Sequence, residues 1–223
     1  MSIGELSTKA LFSSGHTLAW DLLSKLEYPW DALPLISSYV REIGATLDTS
    51  EYIKQDNNVW VHKTAQIAPS AYMGADIIVG ANAIISHCAY VRGPAIIGDE
   101  SHVGNSTEIK NVILFDNVSI PHFNYVGDSI LGYKSHFGAG VITSNVKSDS
   151  SLVSVNFDSE HIDTHLKKFG AIVGDNVEVG CNAVLNPGTI LGANATVYPL
   201  SMVRGFVPAN SIYKKLGEVV EKR

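Results

Sequence analysis

Residues 121 to 145, PHFNYVGDSILGYKSHFGAGVITSN, hold His122, Tyr125, His136, a G-A-G triplet at 138–140 and Asn145 among apolar residues. An imidazole titrates near neutrality, so a histidine beside an amine can act as a general base, an effect worth about 10²- to 10⁴-fold. A backbone N–H exposed in a glycine-rich turn can stabilise an oxyanion, for roughly another 10²- to 10³-fold. Upstream, Arg92 and Lys110 stand at equivalent places in the chain's repeat with no carboxylate directly between them, which reads as an anion site. Basic, acidic and amide groups brought to one edge in this way are unlike a solvated surface of mixed charges and mark a candidate site.

The bulk properties narrow the class of molecule. A chain of 223 residues, 45% hydrophobic and 17% charged, is long enough to bury a sizeable core in one domain, or in one domain plus a small appendage. The net charge of -6, with basic pairs only at Lys167-Lys168 and Lys214-Lys215, argues against nucleic acid. The first twenty residues lack a basic stretch followed by an apolar core, and no apolar run reaches membrane-spanning length, so the expected compartment is the cytoplasm. Cys88 and Cys181 match no metal or redox spacing and read as reduced, buried thiols. His161 and His165 are spaced as i and i+4 without an intervening glutamate, a poor metal motif, and His87 and His102 read as surface residues. No metal is expected.

A single periodicity must position these groups. Val61, Ile67, Met73, Val79, Ile85, Val91, Ile97, Val103 and Ile109 recur at every sixth position, and Val173, Val179, Leu185, Leu191, Val197 and Val203 resume the series. At the fourth position after each aliphatic stands mostly a small side chain, as at Ala65, Ala71, Ala83, Ala89 and Ser101. Three such hexads make one triangular coil, and coils stack at strand spacing, about 4.8 Å. The expected fold is all-β, a parallel β-helix of six to seven coils over residues 59–207. Residues 1–58 carry two stretches of helical spacing and form a cap or arm; residues 208–223 form an amphipathic tail.

Between the regular halves the grid holds only if it is shortened twice, through Leu114, Ile120 and Val126 and then Leu131 and Phe137. Coil neighbours are therefore three full hexads apart in regular stretches and one position closer across a slip. On that count Arg92 neighbours Lys110, Glu108 lies under Tyr125, His122 under Ala139, and Asp128 under Asn145.

The stretches VRGPAIIGDESHVGNSTEIKN, HFNYVGDS, FGAGVITSN and VGDNVEVGCNAVLNPGTILG, in this order and spacing, carry a resemblance. From about residue 61 to 205 the chain resembles the acetyltransferase domain of the bifunctional glucosamine-1-phosphate acetyltransferase / N-acetylglucosamine-1-phosphate uridylyltransferase family. That resemblance implies a left-handed β-helix, acetyl-CoA as cosubstrate, a phosphorylated amino sugar as acceptor, and a homotrimer with active sites between subunits. It assigns His122 as general base and Glu108 as the carboxylate that orients it. Arg92, Lys110, Tyr125, Asn145 and Lys168 match acceptor-binding positions, and Ala139, Cys181 and Pro199 match positions at the coenzyme. His136 stands where the family usually has asparagine at the sugar site. The loop from Val146 to Lys168 is longer than the common bacterial form, and a long ordered loop beside a site usually has a role there, such as covering the acceptor. Uridylyl transfer is not expected, because residues 1–58 cannot hold a nucleotidyltransferase domain. Three alternatives remain: a donor carried by acyl carrier protein, a nucleotide-sugar acceptor, and a non-catalytic β-helix scaffold. A γ-type carbonic anhydrase is disfavoured because no H-x-x-x-x-H pair occurs.

Overall fold

A chain with an aliphatic side chain at every sixth position buries all of them together only by turning three corners per coil. The computed structural model, which describes residues 3–158, 160–215 and 217–222, does this in a left-handed parallel β-helix. On the first face the inward row runs Val61, Val79, Ile97, Leu114, Leu131, Val173, Leu191 and Val207. The second face stacks Ile67, Ile85, Val103, Ile120, Phe137, Val179, Val197 and Tyr213. The third stacks Met73, Val91, Ile109, Val126, Thr143, Leu185 and Val203. Among the described residues the stack thus closes seven coils and begins an eighth.

Both slips lie where the spacing puts them. Val91 pairs with Ile109 across three full hexads, while Leu114 pairs with Leu131 and Ile109 with Val126 across one position fewer. The corner between the first and second faces takes Asn82, Glu100, Asn117, Lys134, Asn176, Asn194 and Asn210 at positive φ. Asparagine dominates this row because its short polar side chain tolerates the left-handed region best after glycine. Residues 211–215, expected in the tail, extend the second face by pairing Ile212 with Thr196; Glu218–Glu221 then folds back antiparallel on them.

Each central strand of the first face is buried at all three positions, as in Ile77–Val79 and Ala95–Ile97. Alternation should turn the middle residue outward, and the register shows that it does: Trp60, Ile78, Ile96, Ile113, Ile130, Ile172, Ile190 and Phe206 form an outer apolar ladder. Burial of each isoleucine stabilises the fold by about 1.5–3 kcal/mol, and two segments supply the cover. The N-terminal segment lays Leu6, Leu11, Leu23, Trp30, Leu33, Ile36 and Val40 down as buried side chains. Its helical pieces are shorter than the spacing suggests, chiefly Trp20–Leu23 and Ile36–Gly44, because Pro29 and Pro34 interrupt them with a 3₁₀ turn, Pro29–Leu35.

Two buried aspartates at the coil corners staple this segment down. Asp76 accepts from Arg41 Nε and Nη2 at 2.8 and 2.7 Å, from Ser37 Oγ at 2.8 Å and from Asn58 Nδ2 at 3.0 Å. Asp175 accepts from the Ser13 amide at 2.7 Å and the Tyr133 amide at 2.9 Å.

The loop after Asn145 forms a hairpin, Val153–Phe157 with Glu160–Leu166, whose base is closed by the Phe169 amide donating to Asn145 O at 2.9 Å. Val153, Val155 and Phe157 are buried, and Phe157 packs on Phe206 with ring centroids 5.1 Å apart. The hairpin therefore covers the foot of the first face, where Phe206 would otherwise be bare.

The expected burial of the two thiols is not observed. Cys88 and Cys181 are both exposed, because they occupy corner positions whose side chains leave the prism.

Candidate functional site

The edge between the second and third faces carries one continuous backbone ladder. The amides of Phe123, Gly140, Asn182 and Leu200 donate to the carbonyls of Asn105, His122, Ala139 and Cys181 at 3.0, 3.0, 2.8 and 2.9 Å. This register places Asn105, His122, Ala139, Cys181 and Pro199 on successive coils of a single row. Gly138 N donates to Val179 O at 2.7 Å and Gly140 N to His122 O, so the amides on either side of Ala139 are engaged. The Ala139 N–H itself has no acceptor among the described residues. Close approach explains the glycine before it: a Cβ on Gly138 would lie 2.8 Å from Cys181 Sγ and 2.7 Å from its amide nitrogen.

His122 is exposed, and its backbone is fixed by Asn124, whose Oδ1 accepts from the His122 amide at 3.1 Å while its Nδ2 donates to Gly138 O at 2.8 Å. Asn124 is buried and couples the histidine to the G-A-G turn, a role that its place inside H-x-x-Y did not reveal. His102 lies close enough for the charge of His122 to act on it. Burial, and secondarily that charge, holds the His102 imidazole below its usual range, and its Nε2 contacts Ser86 Oγ at 2.8 Å.

The opposite border of the third face bears the cations. Arg92, Lys110, Gly127, Ser144, Asn186 and Arg204 each follow an inward residue of the third-face row, so they too lie one per coil. Each of the first two has a carboxylate partner. Arg92 Nη1 meets Glu108 Oε1 at 2.8 Å, and Lys110 Nζ lies 3.2 Å from Asp128 Oδ2. Asp128 is 3% exposed and also accepts from Asn111 Nδ2 at 2.9 Å and from Asn145 Nδ2. The three donors that converge on this buried carboxylate fix the lysine and both amides in place.

Asn145 Nδ2 also reaches Tyr125 Oη at 3.2 Å. Burial above all raises the Tyr125 phenol, against the Asn145 hydrogen bond and with help from Asp128 and Glu108, so it remains a donor at neutral pH. A Cβ on Gly127 would lie 2.7 Å from Tyr125 Oη and 2.9 Å from Asn145 Nδ2, so glycine is what lets these two meet. Lys168 is exposed and immediately precedes Phe169, whose amide holds Asn145 O. Asn111, Asp128 and Asn145 meet from successive coils across the slips; Asn111 is the member that the spacing did not single out.

Two expected contacts are absent. Glu108 engages Arg92, and among the described residues no hydrogen bond joins it to the His122 ring. His136 lies on the second face, where its Nδ1 contacts Glu178 Oε2 at 2.8 Å, away from the cationic border. A single chain thus divides the candidate residues: His122, Ala139, Cys181 and Pro199 on one edge, Arg92, Lys110 and Asn145 at the other, and Tyr125 on the face between. Among the described residues no three His, Cys, Asp or Glu side chains form a metal-binding group, and no helix is long and apolar enough to cross a membrane.

No family model matches the chain. It is 31% identical over 198 residues to the bifunctional protein GlmU of Methanococcus vannielii, a match that covers 87% of this chain and 48% of that protein. It is 29% identical over 167 residues to a bifunctional sugar-1-phosphate nucleotidylyltransferase/acetyltransferase of Sulfurisphaera tokodaii, covering 75% of this chain and 42% of that one. Among solved structures, a polySia-specific acetyltransferase, NeuO, aligns over 75% of this chain and 88% of its own at 15% identity, with a TM-score of 0.47. The chain spans about half the length of the curated relatives it matches, and over that span it is their homologue.

Proposed function

We propose that this homologue of one half of the GlmU proteins is an N-acetyltransferase that moves an acetyl group from acetyl-CoA to the amine of an amino-sugar 1-phosphate. The reading is carried by one observation: an exposed histidine and an unengaged Ala139 N–H lie on adjacent coils of one edge, across a face from a lysine anchored on buried Asp128. The named functions of the archaeal relatives support the choice of sugar phosphate and acetyl group.

In the reaction, the neutral amine attacks the thioester carbonyl, and His122 accepts the proton that the nitrogen loses. The Ala139 N–H donates to the oxyanion of the tetrahedral intermediate. Collapse breaks the C–S bond, and the departing thiolate takes the proton from the imidazolium, leaving an amide and free CoA. Arg92 and Lys110 hold the phosphate dianion, Tyr125 donates to the sugar phosphate from beside Asn145, which fixes its oxygen at the acceptor site, and Lys168 adds a third cation. Glu108 acts here by orienting the Arg92 guanidinium. Cys181 and Pro199 continue the edge below Ala139 and receive the pantetheine arm. The donor and acceptor borders stand a face apart in one chain, so a complete site is built between copies, and we propose a homotrimer. Such substrates place the enzyme in the cytoplasm, and His136, on the second face, contacts the acceptor only from a neighbouring copy.

The test is thiol release from acetyl-CoA with a panel of amino-sugar 1-phosphates and amino-sugar nucleotides, for the wild type and His122→Ala. Turnover with a sugar 1-phosphate that falls a hundredfold or more in the variant is the expected result. A folded wild-type protein with no turnover on any acceptor overturns the assignment.

A further inference from the structure

From Ser144 down through Asn186 to Arg204, the border row runs along a cleft of about 360 Å³, formed where the start of the inserted loop passes over the last coils. That volume lies within the range of small-molecule sites, roughly 300–1,000 Å³. Two cations from different parts of the chain line it, Lys147 from the insertion and Arg204 from the border row. Arg204 has no hydrogen-bond or ion-pair partner among the described residues, and Lys147 makes one long contact, 3.4 Å to Leu152 O. Asp149 is the acid in the lining; the Ser151 amide at 2.9 Å and hydroxyl at 2.7 Å hold its carboxyl below the usual range, and the charge of Lys147 adds to this without an ion pair forming. Ser154 adds a hydroxyl, and Asn156, whose Oδ1 faces His161, keeps its amide N–H₂ free to donate.

This contrasts with the upper border, where each cation has a carboxylate partner. In a chain of net charge -6, a concave site with two cations, hydroxyl and amide donors and a self-satisfied acid selects an oligoanion. From Lys110 to Arg204 is four coil steps, about 19 Å at the spacing of stacked strands, so one phosphate cannot touch both. We propose that the Lys147–Arg204 cleft is a second phosphate-recognition site, which takes a diphosphate-type group separate from the one held at Arg92 and Lys110. The chemistry is shared by two sources, the phosphate end of a coenzyme-A donor and the diphosphate of a nucleotide-linked molecule.

Titration calorimetry with inorganic pyrophosphate tests the site without requiring turnover, so its failure and that of the acetyltransferase reading are separable. Binding to Arg92 and Lys110 is common to the wild type and a Lys147→Met/Arg204→Met variant and cancels in the comparison. The expected result is loss of one binding event, or a tenfold or greater weakening, in the double variant, with partial retention in Arg204→Lys. The Lys147→Met single variant, on an exposed loop, serves if the double variant does not fold. Identical binding by wild type and variants, or none by the wild type, overturns the proposal. Competition then identifies the source: stronger displacement of pyrophosphate by CoA than by dephospho-CoA points to the donor, and displacement by a nucleoside diphosphate but by neither coenzyme points to a nucleotide-linked ligand.

Discussion

Asp76 offers a quantitative test of how the N-terminal segment is held. Its side chain is 9% exposed and accepts four hydrogen bonds, two of them from Arg41. Arg41 first, then Ser37 and Asn58, hold its carboxyl down from its usual 3.8 to about 2, against the opposing effect of burial. At 1.36 kcal/mol per pH unit, that difference corresponds to about 2 kcal/mol of stability at neutral pH. A carboxyl lowered in the folded state contributes fully above its unfolded pKa and loses the contribution as pH falls through the folded value. Asp76→Asn should therefore cost about 2 kcal/mol at pH 7, about half of that near pH 3, and less than about 0.5 kcal/mol at pH 2. Urea titrations of wild type and variant, followed by tryptophan fluorescence at each pH, measure the difference directly. Because Arg41 is 59% exposed, the difference should also shrink in high salt. A loss of the same size at pH 7 and pH 2, or none at pH 7, refutes the staple.

Lys110→Met removes the cation from a buried carboxylate that keeps only its amide partners, so it should lower stability by about 1–3 kcal/mol and raise the acceptor KM tenfold or more, while the acetyl-CoA KM stays within about twofold; a rise in the donor KM alone would place the lysine elsewhere. Cys181 lies against the G-A-G turn while Cys88 lies on distant coils, so acetyl-CoA should slow maleimide labelling of Cys181 several-fold and leave Cys88 unchanged, read by peptide mass. Equal protection of both thiols would contradict the donor edge.

Much of the scaffold was legible because it is a one-dimensional code. Inward burial must recur once per face, so Val61 to Val203 mark every coil, and the two shortened hexads give the offsets that stack Glu108 with Tyr125 and Asp128 with Asn145. The outer ladder was hidden inside short apolar runs such as Ile77–Val79, where three consecutive aliphatics mask which one points out. Side-chain choices were less accessible still. Whether Glu108 turns toward Arg92 or His122 depends on rotamers, not on register. His136 and Glu178 are coil neighbours although the whole inserted hairpin separates them along the chain, and the same interruption concealed that Arg204 continues the row of Lys110 and Ser144.

The covered first face limits where this solenoid presents an open surface. A three-sided solenoid that wraps one side in its own chain leaves two sides open, and these two meet along the edge of His122, Ala139, Cys181 and Pro199. Any copy of the chain that packs flat on either open side must bring its surface up to that edge. A substitution that loosened the wrap, by exposing Ile96 or Ile113, would open a third, adhesive side and promote aggregation.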